Sequence, residues 1–338
     1  MILVRRKVVG LVSGVFICLL TFSGYLWLNQ SLGGPIHSHL VDIPPGTPFT
    51  QVSYILYQKH LIKSEWFFTL LGRVQRVDRN IIPGEYELHA GMRPTELLEK
   101  IVKGEVYHYT LTIPEGFNVV QIAEILDQKH LATKQDILRL TRDQAFIRSL
   151  NVQAATLEGY LFPDTYQISR YTPPESIIRT FVNRFHDVVT PDLKDRATLM
   201  GLTLQEVVTL ASVVEKETGL AVERPLVSGV FHNRLKRGIP LQSDPTVIYA
   251  LESFDGNIRK ADLSVNSPYN TYKVRGLPPG PIANPGLAAI HAALYPTPTD
   301  FVYFVARNDG SHQFSATLDE HNKAVDIYQR RSTGKRAS

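Results

Sequence analysis

The stretch TLQEVVTLASVVEKETG, residues 203–219, carries two carboxylates and an ammonium at the polar end of an otherwise apolar run. Thr203 with Glu206 three residues on is the pattern of a capping box, and Gly219 is the residue expected to stop the helix in a left-handed turn. Leu204, Val207, Ala211 and Val214 recur at helical spacing, so one face is predicted to be buried. At roughly 100° per residue, Glu215 and Glu217 flank that stripe on opposite sides while Lys216 points away. A carboxyl group held against apolar surroundings keeps its proton near neutral pH and can serve as a general acid. The competing reading is a solvated charged turn ending a core helix, and the residues alone do not choose between Glu215 and Glu217.

Outward from this helix, the clearest signal lies at the N-terminus. Val8–Leu28 is free of charge and long enough to cross a bilayer as a helix. Arg5, Arg6 and Lys7 precede it, which by the positive-inside rule leaves residues 1–7 in the cytoplasm, and Tyr25 and Trp27 are suited to the far interface. A cleaved signal peptide is the alternative, but the apolar run exceeds a typical signal core and no small-x-small site follows Leu28. The single cysteine, Cys18, falls inside the span, so the remainder can form neither a disulfide nor a thiolate zinc site. A net charge of +4 over 338 residues, without a Lys/Arg stripe interleaved with aromatics, gives no reason to expect nucleic acid.

Residues 29–40 are polar and Gly/Pro-interrupted, a linker. Residues 41–106 then read as a strand–helix–helix–strand unit, with a turn at Ile43–Phe49, Val52, Ile55 and Leu56 at helical spacing, Ser64 as an N-cap, a strand after Pro83-Gly84, and a helix from Thr95 closed by Gly104. A weak echo follows: Tyr107–Ile113 alternates as a strand, Ile113–Phe117 resembles the earlier Pro/Gly/Phe turn, and a helix runs from Val119 to Leu126. Residues 107–333 form a second, larger domain with helices around Ile177–Phe185 and Arg224–Leu235 and a strand at Val302–Val305. Residues 334–338 are a tail. Helices mixed with short strands and no repeating βα unit make the class α+β.

Polar side chains concentrate in the loop Leu157–Tyr166 and in three loops after the helix, Leu241–Tyr249, Ser267–Tyr272 and Gly276–Gly286. Loops on a rigid scaffold are where function gathers. Glu158, Tyr160, Asp164, Gln242, Asp244, Thr246, Tyr269, Asn270, Tyr272 and Asn284 are the candidate substrate contacts, because rings stack on pyranose faces while amides and carboxylates grip hydroxyls. Taken singly, each of these loops is ordinary turn chemistry.

Together, EGYLFPDTY (158–166), ASVVEKETG (211–219), FHNRLKRGIPLQSDPTVIYAL (231–251), YNTY (269–272), GLPPGPIANPG (276–286) and HQFSATLDEHN (312–322) resemble the endolytic murein transglycosylase, or YceG-like, family. The resemblance runs from the N-terminal anchor to about Val325, with every block in the family's order. It implies a protein held in the cytoplasmic membrane by one N-terminal helix, N-terminus inside, with a small LysM-like domain and a catalytic domain outside the cytoplasm. It implies cleavage of the MurNAc–GlcNAc bond within nascent peptidoglycan strands, with 1,6-anhydroMurNAc ends that limit elongation. The family's acid is the second of the Glu-Lys-Glu triplet, here Glu217, with Glu215 as the secondary candidate. Peptidoglycan synthases are the candidate protein partners; no cofactor and no metal are expected.

The chemistry suits a lone acid. Hydrolases of the common kinds place two carboxyl groups about the scissile bond. A lytic transglycosylase needs one, which protonates the glycosidic oxygen and then, as carboxylate, assists attack of the muramoyl 6-hydroxyl. Asp164 and Asp244 are candidate orienting partners. Two other classes compete. A pyridoxal-phosphate lyase would use Lys216, but no glycine-rich phosphate cradle precedes a helix. A membrane-anchored peptidoglycan-binding scaffold would hold glycan without cutting it.

Overall fold

The computed structural model describes residues 2–33 and 37–330. Parts of the expected linker and the expected tail at 334–338 lie outside the described residues. The chain divides into two compact units that are not contiguous in sequence. One comprises residues 1–109 with 167–172, the other residues 110–166 with 173–338.

The first unit begins with α1 (Ile2–Leu28), whose segment Val9–Leu28 has a mean hydropathy of 2.0 and no buried share. A helix that is apolar all round and buries none of that segment has the composition of a span. After it come β1 (His39–Ile43), α2 (Phe49–Gln58), α3 (Glu65–Val74), β2 (Gly84–Leu88) and α4 (Pro94–Lys103). The strands pair antiparallel with Val41 opposite Tyr86. Their inward residues meet Val52 and Leu56 of α2, Phe68 of α3 and Leu97, Leu98 and Ile101 of α4 in one core. Ser64 caps α3 by accepting from Phe67 N, and Gly104 ends α4 in the left-handed region, both as the sequence predicts.

The next segment holds β3 (His108–Thr112), α5 (Val119–Gln128), α6 (Lys134–Leu140), α7 (Gln144–Ser149) and β4 (Thr165–Ser169), with β3 paired to β4. With α7 as an extra helix before the closing strand, this order repeats the strand–helix–helix–strand plan of the first unit, and the echo extends well beyond the turn that first suggested it. Gln58-Lys59-His60-Leu61 recurs as Gln128-Lys129-His130-Leu131. His60 (φ 53°) and His130 (φ 54°) both end their helix in the left-handed region. In each copy the next leucine N–H returns to the fourth residue before His, Leu61 to Leu56 O and Leu131 to Leu126 O, each at 2.9 Å. The following helix is capped by Ser64 in one copy and Thr133 in the other, and buries Phe68 and Leu71 or Ile137 and Leu140.

The rest of the second unit contains α8 (Pro174–Val188), α9 (Pro191–Leu199), α10 (Leu204–Glu217), α11 (Arg224–Lys236), α12 (Asp244–Ala250), α13 (Leu287–Leu294), the hairpin β5 (Tyr303–Ala306) with β6 (His312–Ser315), and α14 (Leu318–Val325). The architecture is mixed α+β, with three two-stranded sheets among the described residues. At its centre, α10 packs on α11 and α13. Every residue from Val207 to Val214 is buried, more than the single stripe read from the sequence.

Candidate active site

The N-terminus of α10 is fixed by the expected capping box: Thr203 N and Oγ1 both donate to Glu206 at 2.8 Å, and Glu206 N returns to Thr203 Oγ1 at 3.2 Å. Ser212, fully buried, donates to Thr209 O at 2.7 Å and accepts from Ile282 N at 3.0 Å, which ties the proline-rich loop to the middle of the helix. The C-terminal end differs from the sequence expectation. Gly219 is not left-handed; the helix stops at Thr218, whose backbone is already extended (φ −136°). Thr218 is buried and its Oγ1 accepts from Leu220 N at 3.1 Å, so a side chain organises the exit in place of a glycine turn.

The last turn of α10 sends its three charged residues into three different settings. Glu215, with a side chain only 4% exposed, pairs with Arg224 at 2.7 Å and accepts from Gly286 N at 2.9 Å. Burial pushes its carboxyl up, while the Gly286 N–H and Arg224 pull the other way. Arg224 also reaches Glu115 at 3.4 Å. A Cβ on Gly286 would lie 1.9 Å from the Glu115 carboxylate, so a larger residue there would push the Glu115 side chain aside. Glu215 therefore fastens α10 to the start of α11 and to the loop before α13. Lys216 donates to Gly116 O at 3.2 Å.

Among the described residues Glu217 has one hydrogen-bond donor, the Ser243 hydroxyl. Burial pushes its carboxyl up to about 7; the Ser243 bond lowers it, nearby Asp244 raises it, and Arg234 lowers it. Each of these neighbours is itself held. Ser243 is buried, its N–H donates to Thr271 Oγ1 at 3.0 Å, and its carbonyl accepts from Thr246 Oγ1 at 2.6 Å. Asp244 accepts from the Tyr272 hydroxyl at 2.6 Å. Arg234, 7% exposed, donates to Val302 O at 2.6 Å and Leu241 O at 2.7 Å, reaches Gln242 Oε1 at 3.4 Å, and lies over the Tyr303 ring. A guanidinium locked on carbonyls supplies a fixed positive field without neutralising the acid through a direct salt bridge.

A second polar cluster surrounds Glu158. Its carboxylate accepts from Val119 N at 3.1 and 3.2 Å, Asn284 Nδ2 at 3.1 Å and the Tyr249 hydroxyl at 3.1 Å. Burial pushes it, too, up to about 7 against those donors. Asn284 is fully buried and also donates to Phe117 O and accepts from Leu161 N, both at 2.8 Å. Tyr269 packs its ring 5.0 Å from that of Tyr249. An open cavity of about 920 Å³ adjoins this cluster, lined by Glu158, Lys216, Pro245, Ile248, Tyr249 and Phe254 among others.

The ten candidate contacts thus separate. Asp244 and Tyr272 lie about Glu217 and Gln242 reaches its neighbour Arg234, whereas Glu158, Tyr269 and Asn284 form the second cluster. Thr246 and Asn270 are fully buried; Thr246 ties its loop to the next through Thr271 Oγ1 at 2.8 Å, and Asn270 clamps its own loop, donating to Leu263 O at 3.0 Å and Val265 O at 2.8 Å. Tyr160 is buried with its ring 5.0 Å from Phe185, and Asp164 bonds Thr165 N at 2.7 Å and Arg184 at 2.6 Å. These two hold the β4–α8 region. The sequence reading did not single out Ser243, Arg234 or Thr271; only Ser243 had a local signal, as the residue before Asp244-Pro245 at a helix start. Among the described residues no group of three or more His, Cys, Asp or Glu is arranged to hold a metal.

A family model, the YceG-like family, matches residues 41–327. The chain is 34% identical over 304 residues to the endolytic murein transglycosylase of Bacillus subtilis, covering 85% of this chain and 84% of that protein. It is 32% identical over an alignment of 353 residues to the endolytic murein transglycosylase of Streptococcus pneumoniae serotype 2, covering 92% of this chain and 63% of that longer protein. The crystal structure of a YceG-like protein from Listeria monocytogenes matches with a TM-score of 0.60 and 35% identity, covering 85% of this chain and 98% of that one.

Proposed function

Because this chain belongs to the YceG-like family, we propose that it is a lytic transglycosylase of peptidoglycan, anchored in the cytoplasmic membrane by Val8–Leu28 with its N-terminus inside. Its substrate is the MurNAc–GlcNAc bond inside nascent glycan strands, and its product carries a 1,6-anhydroMurNAc end. The names of the bacillar and pneumococcal relatives support the substrate class. The β1–α2–α3–β2 unit, with its antiparallel strand pair, serves as the LysM-like glycan-binding module.

The observation that carries the reading is the environment of Glu217, whose carboxyl is raised to about 7 yet has a single hydroxyl donor. Such a group is protonated in a useful fraction of molecules near neutral pH and has proton-transfer capacity left for a ligand. In the proposed reaction the Glu217 proton passes to the glycosidic oxygen as its bond to the muramoyl C1 breaks. The carboxylate then takes the proton of the C6 hydroxyl as that oxygen closes on C1. The acid is regenerated, no water is consumed, and one carboxyl serves both transfers. Ser243 orients it, Arg234 limits the cost of its ionisation, and Asp244 biases it toward the protonated form.

Mass spectrometry of products from purified glycan tests the reading, since an anhydro end and a reducing end differ by one water. Reducing ends alone would make the protein a hydrolase. Binding without cleavage by the intact chain would leave the scaffold reading.

A further inference from the structure

We propose that the outer face of α3 lies on the anionic lipid surface from which α1 emerges, so that this small domain is seated on the membrane as well as tethered to it. The inference rests on the anchor reading of α1. Trp66, Leu70 and Val74 follow one another at a spacing of four along α3 and are 68%, 40% and 72% exposed. The inner face of the same helix carries Phe67, Phe68 and Leu71, which are buried. Arg73 lies between Leu70 and Val74 on the outer face, and the stretch from Lys59 to Arg79 has five Lys and Arg against two acids. Apolar side chains on one face with basic residues beside them are the composition of a helix lying in a membrane interface.

Two observations select lipid as the occupant of this face. The first is continuity with the span. The last turn of α1 touches the start of α3: Lys63 Nζ donates to Trp27 O at 2.9 Å and sits 4.9 Å over the Trp27 ring, and the Tyr25 and Phe67 rings are 5.9 Å apart. Trp27 and Tyr25 mark the end of the apolar segment, so the first turn of α3 starts at the level where the hydrocarbon ends. The second is the repeat. Aligned on their caps, Ser64 and Thr133, the two copies place Gln135, Arg139 and Asp143 where α3 and its end have Trp66, Leu70 and Val74, and all three are exposed. The fold therefore accepts polar residues on that face, and the copy joined to the span is the one that carries apolar residues there.

Trp27 and Trp66 are the only tryptophans in the chain, which allows each to be read alone. The full-length protein is reconstituted into bilayers containing phosphatidylglycerol, with lipids brominated near the headgroup end of their acyl chains. In Trp27→Phe, emission from Trp66 is expected to shift to shorter wavelength and lose intensity to the bromines, and the loss should shrink when phosphatidylglycerol is replaced by zwitterionic lipid. In Trp66→Phe, Trp27 reports the anchor. Quenching of Trp27 together with a water-exposed, unquenched Trp66 would overturn the seating of α3 and leave the anchor standing. Absence of quenching at both positions would overturn the anchor itself and this inference with it.

Discussion

The pockets of Glu217 and Glu158 lie in the same unit, and burial pushes both carboxyls up to about 7. Their hydrogen bonding differs. Glu158 accepts from a backbone N–H, an amide and a phenol, whereas Glu217 accepts from one serine hydroxyl. The same proton affinity thus arises in a group saturated by its own protein and in one with bonding capacity to spare. A raised pKa alone does not make a general acid; it must coincide with unfilled hydrogen-bonding positions that a substrate oxygen can occupy. Glu215, two residues earlier on the other flank of α10, is a third case, in which a buried arginine holds the carboxylate in a structural bridge.

The largest expected effect breaks the comparison at Glu217. Glu217→Gln keeps the size and an acceptor for Ser243 but has no transferable proton, so release of anhydromuramoyl product should fall by about 10²- to 10⁴-fold, as read by mass spectrometry. The protein should still fold. A carboxyl whose folded pKa is raised binds its proton more tightly in the native state, so its contribution to stability is lost as pH climbs from about 4.5 toward about 7. Glu217→Gln should therefore melt above the parent under mildly alkaline conditions, and the gap should close on acidification.

Glu215→Gln should show the opposite profile. Product formation per folded molecule is largely kept, but the variant leaves Arg224 only its longer contact with the half-exposed Glu115, a loss of about 3 kcal/mol in denaturant unfolding, the low end for a broken buried pair. Full stability in that variant would remove the bridging role assigned to Glu215. At Glu158, glutamine offers one acceptor oxygen and turns an NH₂ toward groups that already donate. Unfolding free energy should fall by about 1–3 kcal/mol, with catalysis less affected than in Glu217→Gln. A loss equal to that of Glu217→Gln would show that the second pocket takes part in the reaction.

The smallest effect sharpens the reading of the single donor. The Ser243 bond lowers the Glu217 pKa, so Ser243→Ala should move the alkaline limb of the kcat/KM–pH profile upward from about 7, with a modest change in maximum rate. An unmoved limb would mean that another group controls it.

The parts of this molecule legible in the sequence are those written locally. The capping box at Thr203, the Ser64 cap and the Gly104 stop each depend on residues within a turn of one another. Gly219 was legible in the wrong sense, because the helix end is set by the buried Thr218 side chain and glycine merely follows it. The burial of α10 on all sides was hidden, since its outer residues meet α11 and α13 and the 276–286 loop from far along the chain. For the same reason Arg234 was unremarkable in sequence: its importance comes from the carbonyls of residues 241 and 302, which only the fold brings to it. Asn284 and Asn270 have the composition of sugar contacts but the geometry of loop clamps, a distinction that depends entirely on which backbone groups lie within reach.

The repeated His60 and His130 caps give the molecule an internal reference for mutational work. Two segments of common plan have drifted under different demands within one chain, so a residue from one copy is a substitution already tolerated by that plan in the other. Replacing the outward residues of α3 with those of α6 changes what the first copy presents to its surroundings while preserving the capping and interior pattern that both copies share. Divergence between the two can then be sorted, position by position, into what folding requires and what was acquired for a task.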